Sequence, residues 1–441
     1  VIPGGDFGGT MKTQQLCNFP KGASVDIQQD VLAGVEVNKR MKLSPLYVGL
    51  FSVSGLLVVG CGGNPTQPIS PAPATCTAST KPEFAYALTG YAVSMFTVDS
   101  CTGKFTASTP ASISTGYAFP QPPAEQMVAD PKGRFAYVAN PVSNASDLAT
   151  ISMYTIDPAT GVLSPTTPAT VATGFYPQGI AIDPSGRFVY TANSDDSSVS
   201  MFTIDQTTGV LTPTTPASVS TLLPGESISD PGFLTVDPAG KYLYVSASDS
   251  NGATVSMYSI DQTTGVLTPT TPATVIAGGI PFQVVVTPSD KFAYVVNNLS
   301  GGTYTDAVSQ YTVDPSTGVL TESQAFGLAA GNAPTAIAVD PTSSFAYVVN
   351  RLDDTLSMYK IDQATGNLTL NSTTQNPSGT IATGTEPFRI DFDTSGKFAY
   401  VTNEGSAASV YTVNSDGTLT NVGSTGVPTG ALSTVFTTVS H

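Results

Sequence analysis

Phe188-Val189-Tyr190-Thr191-Ala192-Asn193 alternates large and small side chains with the two-residue period of a β-strand. Immediately before it stands Asp183-Pro184-Ser185-Gly186, a tight-turn signal, and residues 178–183 ahead of the turn read as a first strand. Downstream, residues 199–204 (Val-Ser-Met-Phe-Thr-Ile) read as a third strand. Asp205-Gln206-Thr207-Thr208-Gly209 then turns the chain into a short fourth strand expected at 210–212. The stretch is thus the second strand of a four-stranded antiparallel unit.

That unit recurs. Phe84-Ala85-Tyr86, Phe135-Ala136-Tyr137, Phe188-Val189-Tyr190, Tyr242-Leu243-Tyr244, Phe292-Ala293-Tyr294, Phe345-Ala346-Tyr347 and Phe398-Ala399-Tyr400 follow one another at intervals of 50 to 54 residues. Seven four-stranded units at so regular a period predict an all-β, seven-bladed β-propeller over residues 81–441. The ends of the chain support ring closure. The first copy lacks a strand ahead of it, whereas residues 428–436 after the last copy resemble the missing one. A C-terminal strand at about 431–438 is therefore expected to complete the first blade beside residues 84–88. The Thr-Pro-Thr-Thr-Pro-Ala runs at 212–217 and 268–273 read as polar connectors between fourth and first strands.

Charged residues are 11 % of the chain, Trp is absent, and Gly and Pro are abundant, which suits short strands and tight turns. The net charge is −16 with no Lys/Arg cluster, which argues against nucleic-acid binding. A hydrophobic content of 40 % is enough for a large core.

Residues 41–61 begin Met41-Lys42, run through an apolar stretch and end Val58-Val59-Gly60-Cys61. The apolar stretch is too short for a spanning helix, and residues 41–60 read as an export signal. The ending resembles the lipobox of bacterial lipoproteins, which implies lipidation of the Cys61 thiol and anchoring in the cell envelope. Gly62 after the cysteine implies the outer membrane in a host that has two. Residues 1–40 are then expected to lie upstream of the working start at Met41, and the Pro/Thr/Ser-rich residues 61–80 to form a flexible tether. In an oxidising compartment Cys76 and Cys101 are expected to form a disulfide, two free thiols being the alternative.

Tyr137-Val138-Ala139-Asn140, Tyr347-Val348-Val349-Asn350 and Tyr400-Val401-Thr402-Asn403 resemble the YVTN-repeat and 6-phosphogluconolactonase-type propellers, and the likeness spans residues 81–441. The resemblance implies a lactonase fold with His, Arg and Glu around the channel mouth. The only histidine is His441, so no blade supplies a His general base. Quinone-dependent dehydrogenase propellers are disfavoured by the absence of Trp. No cofactor or metal is expected, because the Asp195-Asp196 and Asp353-Asp354 pairs lack the spacing of a calcium loop and suit turns.

Counting back four residues from each Asp-Pro turn (or its equivalent) gives Gln126, Gly179, Phe233, Gln283, Ala336 and Arg389, which should ring one mouth of the channel. Arg389 and Asp391 share one face of a strand at i, i+2. They read either as an anion-binding pair, with Glu125 or Glu386 opposite, or as a structural salt bridge. Gln126, Gln283 and Arg389 are the candidate ligand-binding residues; Arg389, Asp391 and Glu125 are the candidate catalytic ones. Two functions remain: a monomeric, lipid-anchored propeller that binds a protein or carbohydrate partner, or a lactone hydrolase using Arg389 and a carboxylate.

Overall fold

The computed structural model describes residue 76 and residues 82–438, apart from 117–125, 143–147, 223–228, 250–251, 299–306, 324–326, 375, 426 and 428–432. All of these belong to one compact unit, Ala72–His441. The expected export signal, Cys61 and nearly all of the expected tether lie outside the described residues.

Seven antiparallel sheets follow one another along the chain, each of four strands in the order first, second, third, fourth. In blades 5 and 6 the fourth strand is broken into two pieces that both pair with the third. Blade 3 consists of Pro177–Ile182, Phe188–Asn193, Ser198–Ile204 and Leu211–Ser220. Its second strand is buried throughout, and the alternation of its side chains explains how. Phe188, Tyr190 and Ala192 pack with Leu243, Val245 and Tyr258 of blade 4, while Val189 packs with Tyr137 and Ile151 of blade 2. Both faces are core faces, so large residues fill one blade interface and small ones the other.

The expected closure is present. Ser433–Thr438 pairs antiparallel with Glu83–Thr89, matching Leu88 with Ser433 and Glu83 with Thr438, and so supplies the first strand of blade 1. Cys76 and Cys101 form the expected disulfide, with Cα atoms 5.6 Å apart.

A seven-fold latch joins the blades. The tyrosine of each aromatic copy donates its hydroxyl to a glycine carbonyl in the third-to-fourth-strand turn of the next blade. The pairs are Tyr86–Gly161, Tyr137–Gly209, Tyr190–Gly265, Tyr244–Gly318, Tyr294–Gly366, Tyr347–Gly417 and, closing the ring, Tyr400–Gly103, at 2.7 to 3.0 Å. The ring two residues earlier lies against the same glycine: a Cβ on Gly265 would overlap Phe188, and the residue's φ is +75°. Both facts require glycine at the turn.

The fourth strands correct the reading of the Thr/Pro runs. Residues 212–217 and 268–273 are not connectors; they lie inside ten-residue fourth strands, Leu211–Ser220 and Leu267–Ile276. The register jumps from Phe202↔Pro213 to Ser200↔Ser218, so residues 214–217 loop out from the blade edge. Proline has no N–H for the ladder and is tolerated only at such an edge or bulge, which is why a Pro-rich run reads as a connector yet belongs to a strand. The same excursion occurs in blades 1, 2 and 4.

Candidate functional site

Antiparallel order places the Asp-Pro turns and the latch turns on one face of the ring. The second-to-third hairpins and the crossovers from fourth to first strand lie on the other. On this second face, the Asn that ends the second strand ties the crossover down. Asn193 Nδ2 donates to Ser200 Oγ at 2.9 Å, and the same hydroxyl accepts Gly174 N at 3.3 Å. Asn297 with Ser309 and Gly278, and Asn403 with Ser409 and Gly384, repeat the arrangement. In these three blades the Asn three residues after the latch tyrosine therefore fixes where the crossover enters the mouth, whereas blades 1 and 4 carry Thr89 and Ala247 there.

In blades 3, 5, 6 and 7 the crossover leads into the first strand through a bulge. Register slips by one residue between Pro177 and Gly179, Pro281 and Gln283, Pro334 and Ala336, and Pro387 and Arg389. In blades 5 and 7 the extra residues are Phe282 and Phe388. The Phe233 and Phe282 rings lie 4.8 Å apart, and Phe388 meets Phe282 edge-on at 5.9 Å. The Arg389 guanidinium lies 4.8 Å from the centre of the Phe233 ring. Blades 4 and 7 are not neighbours in the ring, nor are 5 and 7, so these contacts cross the axis. Three aromatic rings and one cation fill the channel at this level.

The expected site residues are distributed as follows. Arg389 is buried among these rings, and its amide donates to Thr402 Oγ1 at 3.2 Å. Asp391, two residues further along the same strand, is half-buried opposite Tyr400. Gln126 Oε1 accepts Ile180 N at 3.0 Å and Gln283 Oε1 accepts Ile337 N at 2.9 Å, so each glutamine braces its blade to the next. Gly179 faces the Gly232 carbonyl too closely for a Cβ. Glu125 lies outside the described residues.

A second group sits nearer solvent between blades 6 and 7. Arg351 Nη2 is 2.6 Å from Glu404 Oε2 and 3.9 Å from Glu386 Oε2. Glu386 has a left-handed backbone (φ +52°), as do Tyr176 and Ala333 at the same position before the first-strand proline. Carboxylates hold these crossovers in place. Asp354 Oδ1 accepts Glu386 N at 2.8 Å, Asp353 Oδ2 accepts Asn332 N at 2.8 Å, and Asp196 Oδ2 accepts Phe175 N at 2.6 Å. The expected turn role of the paired aspartates thus becomes a crossover clamp. Across the mouth, burial and the nearby Asp195 carboxylate raise the pKa of Asp230, opposed by the Ser194 hydroxyl. Among the described residues no three His, Cys, Asp or Glu side chains group to hold a metal ion.

Sequence reasoning named Glu386 as a partner for Arg389 but missed Arg351 and Glu404. A signal existed: both follow the terminal Asn of the second strand, in Asn350-Arg351 and Asn403-Glu404, with opposite charge in adjacent blades.

A family profile described as "Lactonase, 7-bladed beta-propeller" matches residues 79–221, 214–304 and 277–435. No curated protein matches the chain. Among solved structures, a putative 6-phosphogluconolactonase from Bacteroides fragilis is similar with a TM-score of 0.63 at 20% identity, covering 84% of this chain and 100% of that one. The periplasmic gluconolactonase of Pseudomonas aeruginosa is similar with a TM-score of 0.61 at 21% identity, covering 81% and 100%. At such identities the likeness of structure speaks for the fold, while the profile spans the ring from first blade to last. The chain belongs to the lactonase family of seven-bladed β-propellers.

Proposed function

We propose that this protein is a lipid-anchored propeller of the cell envelope that binds a ligand or partner at its mouth without hydrolysing it. The observation that carries this reading is the filled axis. Phe233, Phe282, Phe388 and Arg389 meet across the ring where a hydrolytic cleft would need room for substrate and water. The absence of any histidine but His441 supports it further. The Cys76–Cys101 disulfide supports an oxidising compartment, and the lipobox-like Val58-Val59-Gly60-Cys61 supports the anchor.

Two observations favour hydrolysis as a second reading. Arg351 lies beside two carboxylates at the rim of the mouth, and structural neighbours bear the names of sugar lactonases. There Arg351 would stabilise a developing oxyanion and Glu386 would act as base. The deciding experiment incubates the purified protein with glucono-δ-lactone and 6-phosphogluconolactone, against buffer and an Arg351→Ala variant. Hydrolysis no faster than buffer is expected. Turnover that disappears in a folded Arg351→Ala protein would replace the binding reading with the hydrolytic one. For the anchor, a Cys61→Ser variant is expected to leave the membrane fraction for the soluble one.

A further inference from the structure

In five blades the third strand carries a tyrosine whose hydroxyl reaches the preceding blade. Tyr154 donates to the Ser114 carbonyl at 2.9 Å, Tyr258 to Ser220 at 3.4 Å, Tyr311 to Ile276 at 2.9 Å, Tyr359 to Ala329 at 3.2 Å and Tyr411 to Ala382 at 2.7 Å. Every acceptor is the last residue of the preceding blade's fourth strand or of its final piece. Two blades break the pattern. In blade 1 the residue is Phe96, and a second ring, Phe105, packs on it at 5.4 Å. In blade 3 it is Phe202, and the residue in the position of Phe105 is Leu211.

The corresponding acceptor for blade 3 is Ala172, the last residue of blade 2's fourth strand. Where the tyrosyl hydroxyl would sit there is a cavity of about 250 Å³, lined among others by Ala172, Asp196, Ser200, Phe202, Pro213 and Ser218. The Pro-rich excursion of the fourth strand forms one wall and the crossover at 172–174 another. Drug-sized pockets run to roughly 300–1,000 Å³, so the space suits a smaller molecule.

Its chemistry is specific. The Ala172 carbonyl is an acceptor without the tyrosyl donor that its counterparts have. Ser200 Oγ already accepts two N–H groups, from Asn193 and Gly174, which leaves its proton to donate. Asp196 uses Oδ2 to clamp the crossover, leaving Oδ1 as a second acceptor. Phe202 and Pro213 offer an apolar wall for C–H groups. The lining contains a carboxylate and no cation, which repels anions.

We propose that the cleft between blades 2 and 3 binds a neutral, polyhydroxylated molecule of monosaccharide size, one of whose hydroxyls replaces the missing tyrosyl group. The cleft shares Gly174, Asp196 and Ser200 with the crossover clamp of blade 3 but lies between blades 2 and 3, away from the Arg351 group between blades 6 and 7, and does not depend on what binds there.

The test titrates the full chain with D-glucose, D-galactose, D-mannose, N-acetylglucosamine and myo-inositol, each to about 10 mM, which captures millimolar Kd values. Saturation-transfer NMR reads binding. Phe202→Tyr should restore the sister-blade hydrogen bond, leave Tm unchanged or higher, and weaken binding at least tenfold. Phe202→Leu, which adds no hydroxyl, should keep binding. Ser218→Tyr, filling the cleft from its exposed strand, should abolish binding if Phe202→Tyr proves poorly folded. Arg351→Ala should leave binding unchanged, which separates this site from the mouth. Binding of none of the five probes would overturn the proposal, and so would undiminished binding by both cleft-filling variants.

Discussion

The latch between blades and the axis of the ring solve opposite problems. Around the turn-bearing face one contact is made seven times: an aromatic ring on a left-handed glycine and a tyrosyl hydroxyl on that glycine's carbonyl. Along the axis the equivalent positions carry Gln126, Gly179, Phe233, Gln283, Ala336 and Arg389, and hardly two blades agree. Each blade interface must bury the same surface in the same geometry, so the latch repeats. The axis is a single shared space, and its side chains fill it once, as a set. Regularity here marks stability, and the places where the repeat fails are those to search for function.

The largest expected effect tests whether the latch alone can close the ring. Truncation after Val427 removes Ser433–Thr438 and exposes the unpaired edge of Glu83–Thr89. Aggregation or loss of cooperative unfolding is expected. A truncated chain that stays monomeric with an unchanged melting point would show that the latch suffices.

Within the latch, Phe188→Ala should cost about 3–5 kcal/mol through the cavity it leaves against Gly265. Arg389→Met, at the axis, should cost less than this, because it replaces a stacked cation with an apolar chain of similar length. Urea unfolding of both variants compares the two regions directly; equal losses would erase the distinction.

Removing only the latch hydroxyl is a finer cut. Tyr190→Phe should lose about 1–2 kcal/mol, since it strands the buried Gly265 carbonyl while keeping the ring. Tyr154→Phe should cost less and should open a cleft at the blade 1–2 boundary resembling that beside Phe202.

The smallest effect concerns an irregularity on the regular face. In blade 3 the turn glycine, Gly186, packs on the turn aspartate of the preceding blade, Asp130. Blade 5 has Asp290 in place of glycine, which brings its carboxyl to Asp237. Asp237 Oδ2 and Asp290 Oδ1 are both buried without a hydrogen-bond partner. Burial first, then the Asp237 charge, raises the Asp290 pKa to about 6, with Lys241 opposing; burial also raises that of Asp237. The unfolded carboxyl loses its proton near pH 3.9. Between those values the folded state binds more protons, so stability falls as pH rises from about 4 to 6 and the cost is fully present above. Asp290→Asn should therefore stabilise the protein at pH 7.5 by about 1 kcal/mol, a modest figure because solvent screens the partly exposed group. The gain should vanish near pH 4. A gain independent of pH would assign the effect to the turn backbone instead.

The blade count, the strand order, the closing strand and the Cys76–Cys101 pairing were legible in the chain, because alternation, turn residues and spacing are local or periodic signals. The fourth strands were misread because proline punctuates a sequence identically whether it ends a strand or bulges from one. At the mouth, charge placement was legible in Asn350-Arg351 and Asn403-Glu404 only with the ring in hand, since their meeting depends on two blades 53 residues apart lying side by side.

By itself, then, the sequence determined a closed ring of seven β-blades, because every blade must pack the same pair of faces and the repeat records that demand. Only the tertiary structure decided that Phe233, Phe282, Phe388 and Arg389 close the axis and that Phe202 leaves a cleft open. Neither property belongs to one blade. Each arises where side chains from different repeats converge, and convergence across a ring leaves no periodic trace along the chain.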